Sequence, residues 1–483
     1  MHYFNNIKNI LFVKTFIDSG IGSSLPEMDL FITSSVIERN TPDIYNYTFF
    51  NIGYDYTDDT NFINLIKTKE IHIIVFSVSL LEKTQFHALC KVIKNFDKNI
   101  ITIVSGQLAD ISKEKILTDN NVDFVAYGES YITIKELVLT LNNNLDLSAI
   151  DGLCYRENSS VVINNQRAFC DEVDSFAIAE KIWDIVDIKK YSKFFGWNGI
   201  NQQDYYIPII ASFGCPFNCS YCTNRLKLGN KFRKRSVDSV VNEINMLVNK
   251  FSIKEIHFFD SVFDYDKQWA KEILTTLSKR KDKLSIAFPH GLRIDCMDEE
   301  MIDLFEKAGV YKVTYAIETA SNDLQQKINK NLDLKRAKEI IELTSMKNII
   351  VCGYFMLGFP DETEEQMKKT IEYACSSKID VAAFFKYSDL YSNMNKEYLL
   401  GEDFTKFGYF SKNDSLTDMK TNALLLVSQW KFYLKAKRLK SIFLKSKNKF
   451  IFMKQFIKFV GIIIYDYILY KVIYEKYLTK NKT

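Results

Sequence analysis

Proline and glycine are scarce in this sequence. Six Pro and 17 Gly among 483 residues fall well below the usual shares of roughly 5% and 7%. Collagen-like, Pro-rich-linker and low-complexity chains are thereby excluded. Long apolar runs are missing as well. No stretch approaches the ~20 uncharged apolar residues of a membrane span, and the run Ile10–Val13 is too short for a secretory core segment. Nine Cys is an odd number, and three of them crowd into eight residues, which argues against a secreted disulfide scaffold and for a cytoplasmic protein. What is present is globular: 47% hydrophobic and 25% charged residues, long enough for about three domains. The net charge of +3 conceals an asymmetry. Residues Lys431–Thr483 hold fourteen Lys or Arg against Asp466 and Glu475, a local excess of +12 that leaves −9 on the preceding 430 residues. Such a tail attracts an acidic partner: phospholipid, nucleic acid or acidic protein.

Hydrophobic periodicity divides the chain. In residues 1–144, Ile7–Val13, Ile71–Val78, Ile100–Ser105 and Val122–Tyr127 read as buried strands, with helices at Leu81–Phe96 and Lys113–Asn120. This alternation predicts an α/β, doubly wound, Rossmann-like parallel sheet. Residues 145–206 form a connector with a short hairpin at Gly152–Asn164. A second α/β region, 207–389, offers six strands: Ile207–Phe213, Glu255–Phe259, Leu284–Pro289, Lys312–Ile317, Ile349–Leu357 and Val381–Lys386. Helical patterns separate them, among others Val237–Asn249, Tyr265–Ser278 and Glu299–Ala308. Six βα units make a partial (β/α)6 barrel of the TIM type, whose chemistry belongs at the strands' C-terminal ends. Residues 390–483 read as helical and basic.

The sharpest local signal is Cys215-Pro-Phe-Asn-Cys219-Ser-Tyr-Cys222, a C-x3-C-x2-C loop directly after Ile207–Phe213. Thiolates take soft metals and iron–sulfur clusters. Zinc, or three inert thiols, is the alternative, but structural zinc wants four ligands, usually as two separated pairs. Three thiolates on a cubane leave the fourth iron open to a small molecule.

This spacing resembles the radical S-adenosylmethionine (SAM) superfamily. The resemblance, over roughly Ile207–Lys386, implies a [4Fe-4S] cluster on Cys215, Cys219 and Cys222. It also implies SAM chelating the fourth iron, and reductive cleavage to a 5′-deoxyadenosyl radical. Tyr221 matches the family's hydrophobic position beside the adenine. Asp260 follows the second barrel strand, where relatives carry an acidic motif for the SAM amino group; Ser261 departs from their paired Asp. Arg293, in Gly291-Leu292-Arg293-Ile294-Asp295, sits where an Arg meets the SAM carboxylate, a pairing that suits the guanidinium fork. Glu318 matches the ribose-contacting position. Gly358-Phe359-Pro360, followed by Glu362-Thr363, resembles the G-x-P-x-E-T turn near the adenine. Singly, each also reads as a salt bridge, helix cap or tight turn. Their order, one βα unit apart, sets them apart from chance.

A doubly wound domain ahead of such a barrel resembles the cobalamin-binding half of cobalamin-dependent radical SAM proteins. The candidate cobalamin contacts lie where such sheets bind ligands, at strand C-terminal ends. They are Ser77 and Ser79, then Ser105 and Gly106, then Gly128 and Glu129. Small residues there let backbone approach a flat macrocycle. Ordinary βα loops also use Gly and Ser. The D-x-H-x-x-G loop that carries a lower axial His is absent: Asp18-Ser19-Gly20-Ile21-Gly22 has none, and His72 and His87 read as structural. The remaining cysteines form no second ligand set, so one cluster is expected.

The resemblance implies a methyltransferase of this class acting on an inert carbon or phosphorus centre. One SAM methylates reduced cobalamin and another yields the radical. A cyclase, oxidase or rearrangement enzyme of the same architecture stays open, as does a sensor that binds SAM or cobalamin. Expected partners are a small-molecule or peptide substrate and a flavodoxin- or ferredoxin-type electron donor. No nucleic-acid module is recognisable. In the C-terminal region, Phe432–Phe459 interleaves Lys with Phe, Leu and Ile, and Gly461–Tyr470 is nearly all apolar. Two readings stand: an amphipathic helix peripheral to a membrane, or a helical cap on the barrel with Lys stems along its wet side.

Overall fold

The structure is a computed structural model that describes residues 7–15, 28–143, 145–191, 200–387 and 416–453, with isolated positions between 457 and 468. The Asp18–Gly22 loop and most of Gly461–Tyr470 lie outside the described residues.

Five parallel strands form the N-terminal sheet: β1 Asn9–Lys14, β2 Asn46–Asn51, β3 Ile73–Ser77, β4 Ile101–Ser105 and β5 Phe124–Ala126. Their order is β2-β1-β3-β4-β5, one of the two common doubly wound arrangements, with its switch point between β1 and β3. Every residue of β3 and β4 is buried, as expected where helices cover both faces of a parallel sheet. The hairpin β6 Leu153–Glu157 and β7 Ser160–Ile163 does more than connect. It pairs antiparallel with β5 through Phe124–Tyr155 and Ala126–Leu153, extending the sheet to seven strands. The helix expected at Lys113–Asn120 runs instead over Gln107–Ile116. Gly106, at φ +88°, makes the whole strand-to-helix turn by itself, and Ser112 breaks the helical dihedrals midway, which obscures the periodicity.

The second sheet has six parallel strands in sequence order: β8 Ile207–Ile209, β11 Glu255–Phe258, β12 Ser285–Leu292, β13 Val310–Glu318, β14 Ile350–Leu357 and β15 Val381–Lys386. This is the expected partial barrel. A small antiparallel pair, β9 Ser212–Phe213 and β10 Arg233–Lys234, closes the base of the cysteine loop. The helices between strands bury apolar faces against the sheet. Glu299–Ala308, for example, starts on an Asp298 cap, buries Met301, Ile302 and Phe305, and ends at Gly309 in the left-handed region, as helices commonly do.

The C-terminal helix Leu416–Tyr433 lies along β15, where the Tyr433 hydroxyl accepts from Ala382 N at 3.0 Å and donates to Ala382 O at 2.7 Å. The next helix, Ala436–Lys445, crosses the N-terminal ends of the strands. Arg438 donates to the carbonyls of Ala374, Cys375 and Ile379 and stacks on Phe432 at 3.7 Å. Lys445 meets the buried Asp380 at 2.6 Å. The Gln202 side chain accepts from the backbone N–H of Lys447 and Asn448. Residues 436–448 therefore form a cap over that end of the barrel, while Leu416–Tyr433 runs along its edge strand.

Candidate functional site

Geometry at the cysteine loop is set by backbone, not by the thiols. Gly214 turns the chain out of β9 at φ +79°, and a Cβ there would stand 2.0 Å from the Lys231 carbonyl oxygen, so only glycine fits. Cys215 N–H donates to Gly229 O and Ser220 N–H to Ile328 O. The three cysteines are half-buried, and burial pushes the Cys215 and Cys222 thiols up. Among the described residues no three acidic, His or Cys side chains gather closely enough for a single metal ion. A cubane does not ask for that, because each thiolate binds a different iron. Three soft donors on one fixed loop fit the cluster.

Around the loop, β-strand ends bring in the expected residues, with additions. Glu318 ends β13 at φ +68°, a conformation that costs a non-glycine residue about 1–3 kcal/mol. Its carboxylate accepts from Tyr221 Oη at 3.0 Å and from Lys330 Nζ at 3.0 Å, and Lys330 also reaches Tyr221 Oη at 3.2 Å. Burial beside Glu318 raises Tyr221 well above the ordinary phenol range, so it remains a donor. Lys330 was not singled out from the sequence. It lies twelve residues past Glu318 in a loop with no motif of its own.

Arg293 leaves β12 and lies over the Phe217 ring at 3.7 Å, with Nη1 4.0 Å from Cys219 Sγ and Nη2 donating to Lys330 O. Its backbone N–H donates to the fully buried Asp264, whose second oxygen has no protein partner; burial pushes that carboxyl up to about 7. Gly358 and Phe359 donate their N–H groups to Glu362 at 2.6 and 3.0 Å, and burial raises this carboxyl to about 7. Pro360 follows at the exposed tip of the turn. Phe359, Leu324 and Ile328 pack with Tyr221 and Met356 into a small apolar nest. Gly358, at φ +86°, also admits the C-terminal helix, since a Cβ would meet Thr421 Cγ2 at 2.8 Å.

Asp260 is spent differently from the expectation. Buried, it accepts from Ser212 Oγ at 2.6 Å and Ala211 N at 3.1 Å, so it fixes the chain entering the cysteine loop. Burial pushes it up to about 6.

His290 is the other residue the sequence hides. On an unbroken strand its side chain would share the face of Phe288, which packs outward against Phe258 and Phe305. A register shift between Phe288 and Leu292, with Gly291 at φ +102°, breaks the alternation. His290 then stacks on Phe259 at 4.3 Å and remains accessible. Ala316 and Met356 are the accessible positions on the next two strands and Phe385 is one of three on β15, so a row of openings crosses the sheet. Bulges of this kind re-aim side chains beside active sites. Deeper in, Glu255 accepts from Tyr311 Oη, His257 and the N–H groups of Gln202 and Gln203, a buried polar floor.

At the N-terminal sheet, Ser77, Ser79, Ser105, Gly106, Gly128 and Glu129 all sit at the C-terminal edge of β3, β4 and β5. They are not equivalent. Gly106 is required by packing, because a Cβ would meet the Val78 backbone at 3.0 Å. Ser77 and Ser105 are buried, and Ser105 Oγ donates to Phe76 O. Ser79 and Gly128 are accessible, and a Cβ on Gly128 would meet nothing within 4 Å. Glu129 is not open to a ligand: it pairs in the interior with Arg233 of β10 and accepts from Cys170 N. It joins the sheet to the barrel. Lys227, beside the cysteine loop, pairs with Asp29 of the N-terminal half. The two C-terminal strand edges thus face each other across the cysteine loop. His72 accepts from Asn9 N before β3, and His87 pairs with Asp119 at 2.6 Å on a helix; neither is at that edge.

Residues 209–374 match the model of the Radical SAM superfamily, and this segment is a radical SAM domain. Likeness to known proteins runs further along the chain. An uncharacterised methyltransferase of Pyrococcus horikoshii is 28% identical over 321 residues, 66% of this chain and 67% of that one. The cytidylyl-2-hydroxyethylphosphonate methyltransferase of Streptomyces wedmorensis is 27% identical over 334 residues, 63% of this chain and 62% of its own. Among solved structures, the radical SAM methyltransferase TsrM from Kitasatospora setae, with cobalamin and a [4Fe-4S] cluster bound, superposes with a TM-score of 0.63. It is 16% identical and covers 79% of this chain and 72% of its own. That extent exceeds the barrel and C-terminal region together, so the shared fold takes in the N-terminal sheet.

Proposed function

We propose that this chain is a cobalamin-dependent radical SAM methyltransferase acting on an unactivated carbon or phosphorus centre of a small-molecule substrate. The observation that carries the reading is the meeting of two ligand-binding strand edges over one three-thiol loop. When bound there, the cluster and cobalamin supply the electron for SAM cleavage and the methyl group that is delivered. Everything else is positioning by the chain's own side chains. Cys215, Cys219 and Cys222 hold the cluster. Lys330 and Tyr221 fix the Glu318 carboxylate as an acceptor for ribose hydroxyls. The nest around Phe359, with the Gly358–Pro360 turn, takes the adenine. Arg293, its backbone N–H bound to Asp264 and its Nε paired with Asp295, offers the rest of its guanidinium to the SAM carboxylate. Space over Gly128 and Ser79 suits a flat macrocycle, with no histidine at that edge to ligate its metal among the described residues.

These roles predict that Glu318→Ala, Lys330→Met and Arg293→Ala each weaken SAM binding about ten- to a hundredfold, the value of a hydrogen bond to a charged group. Iron content should stay at the wild-type level. A direct binding titration checks it, and unchanged affinity removes the residue from the site. The function itself is tested by product analysis after anaerobic reconstitution with cobalamin. S-adenosylhomocysteine and 5′-deoxyadenosine should form together. 5′-Deoxyadenosine alone, with no cobalamin retained, transfers the protein to the cyclase and oxidase reading.

A further inference from the structure

Arg293 makes more contacts than a group that only waits for SAM requires. Its Nε donates to Asp295 at 3.0 Å, its Nη2 donates to the Lys330 carbonyl, and its guanidinium lies over the Phe217 ring at 3.7 Å. Phe217 belongs to the cysteine loop, between Cys215 and Cys219. Contacts in three directions fix the guanidinium plane, and the side chain is only 11% exposed. Held this way, Nη1 stands 4.0 Å from Cys219 Sγ. The charge reaches a second thiol as well: burial pushes Cys215 up, and the charges of Arg293 and Lys330 work against it. An arginine keeps a further N–H on each Nη, so the SAM carboxylate and the sulfur can share one guanidinium.

A guanidinium stays charged at every working pH. A fixed positive charge and an N–H donor beside a ligating sulfur stabilise the state of a cluster that carries more negative charge, which is the reduced one. Because Arg293 is largely buried, solvent ions screen this less than they would at the surface. Asp295 opposes it, pairing with Nε from a position that is 37% exposed. We infer that Arg293, set in place by Phe217 and Lys330 and moderated by Asp295, raises the reduction potential of the cluster held by Cys215, Cys219 and Cys222. The step concerned passes one electron from a low-potential donor to the cluster. The donor is oxidised by that electron, and no bond is made or broken. The inference rests on the cluster assignment and adds to the SAM contact already given to Arg293.

Redox titration of the full chain, with its cluster reconstituted and no SAM present, tests this. Dithionite and mediator dyes set the potential, and electron paramagnetic resonance reads the reduced cluster. Arg293→Met should make the reduced cluster about tenfold less favoured at a given potential, a shift of ~59 mV to more negative values. Asp295→Asn should move the midpoint the other way, because it leaves the guanidinium in place and removes its counter-charge. Shifts of opposite sign are not what a general loosening of the site produces. Iron and sulfide per chain should match the parent in both variants. If Arg293→Met loads poorly, Asp295→Asn still decides. An unchanged midpoint in Arg293→Met, or one that is not raised in Asp295→Asn, overturns the inference and leaves the cluster assignment standing. A parent that loads no iron removes both.

Discussion

Alanine in place of Cys215, Cys219 or Cys222 should leave a folded protein that carries no iron and cleaves no SAM. The fold should survive because backbone contacts set the loop's turns. Gly214 and the Lys231 backbone set its turn, β9 and β10 close its base, and Ser220 N–H holds its centre to Ile328 O. The chemistry should not survive, since each thiol is one of the three proposed ligands and no other cysteine lies on that loop. Cys296 is on the 3-10 turn after Arg293, where burial pushes its thiol up to about 12 and keeps it protonated. Iron and sulfide assays together with 5′-deoxyadenosine measurement check this. Wild-type amounts of 5′-deoxyadenosine from any single variant would sink the cluster assignment.

Glu129→Ala should be the most damaging change away from the cluster. Its partner Arg233 is almost wholly buried, with side-chain exposures of 2% and 1% for the pair. Removing the carboxylate strands a guanidinium in the interior, which costs about 3–5 kcal/mol. Arg233 would keep only the carbonyls of Cys170 and Leu228 and the rings of Phe169 and Phe213 nearby. The damage falls at the joint between sheet and barrel, so the two halves should unfold in separate steps where the parent unfolds in one. Glu129→Ala with Arg233→Met should recover much of the loss, because no lone charge remains. Denaturant unfolding of both variants decides it. A loss under about 1 kcal/mol, the worth of an exposed pair, would show that Glu129 does not hold the joint.

The sequence made some of these parts visible and hid others for physical reasons. The barrel strands could be read because parallel strands covered on both faces are continuous apolar runs, as in Ile350–Leu357. The cysteine loop could be read because its ligands are local. Edge strand β2, Asn46–Asn51, is partly exposed and framed by Asn, so it carries no such run. Glu129 looked like a ligand contact because its partner lies 104 residues away. Lys330 and Asp264 act through distance in space, not spacing in sequence. His290 faces inward only because a register shift reverses the alternation that a strand pattern assumes.

The helix Ala436–Lys445 and the Gln202 contacts also decide how molecules come and go. With Glu255, Tyr311 and His257 knitted into a solid floor and Lys445 bolted to Asp380 beneath, the described barrel is a cup and not a tube. Whatever reaches the row at His290, Ala316 and Met356 enters by the rim where the cysteine loop and the N-terminal sheet meet. SAM, seated on that rim between Glu318 and Phe359, would be the stopper. A substrate must then load before it, and a product must wait for spent SAM to depart. Steady-state kinetics should accordingly be ordered, with substrate first and the remains of SAM leaving ahead of the methylated product.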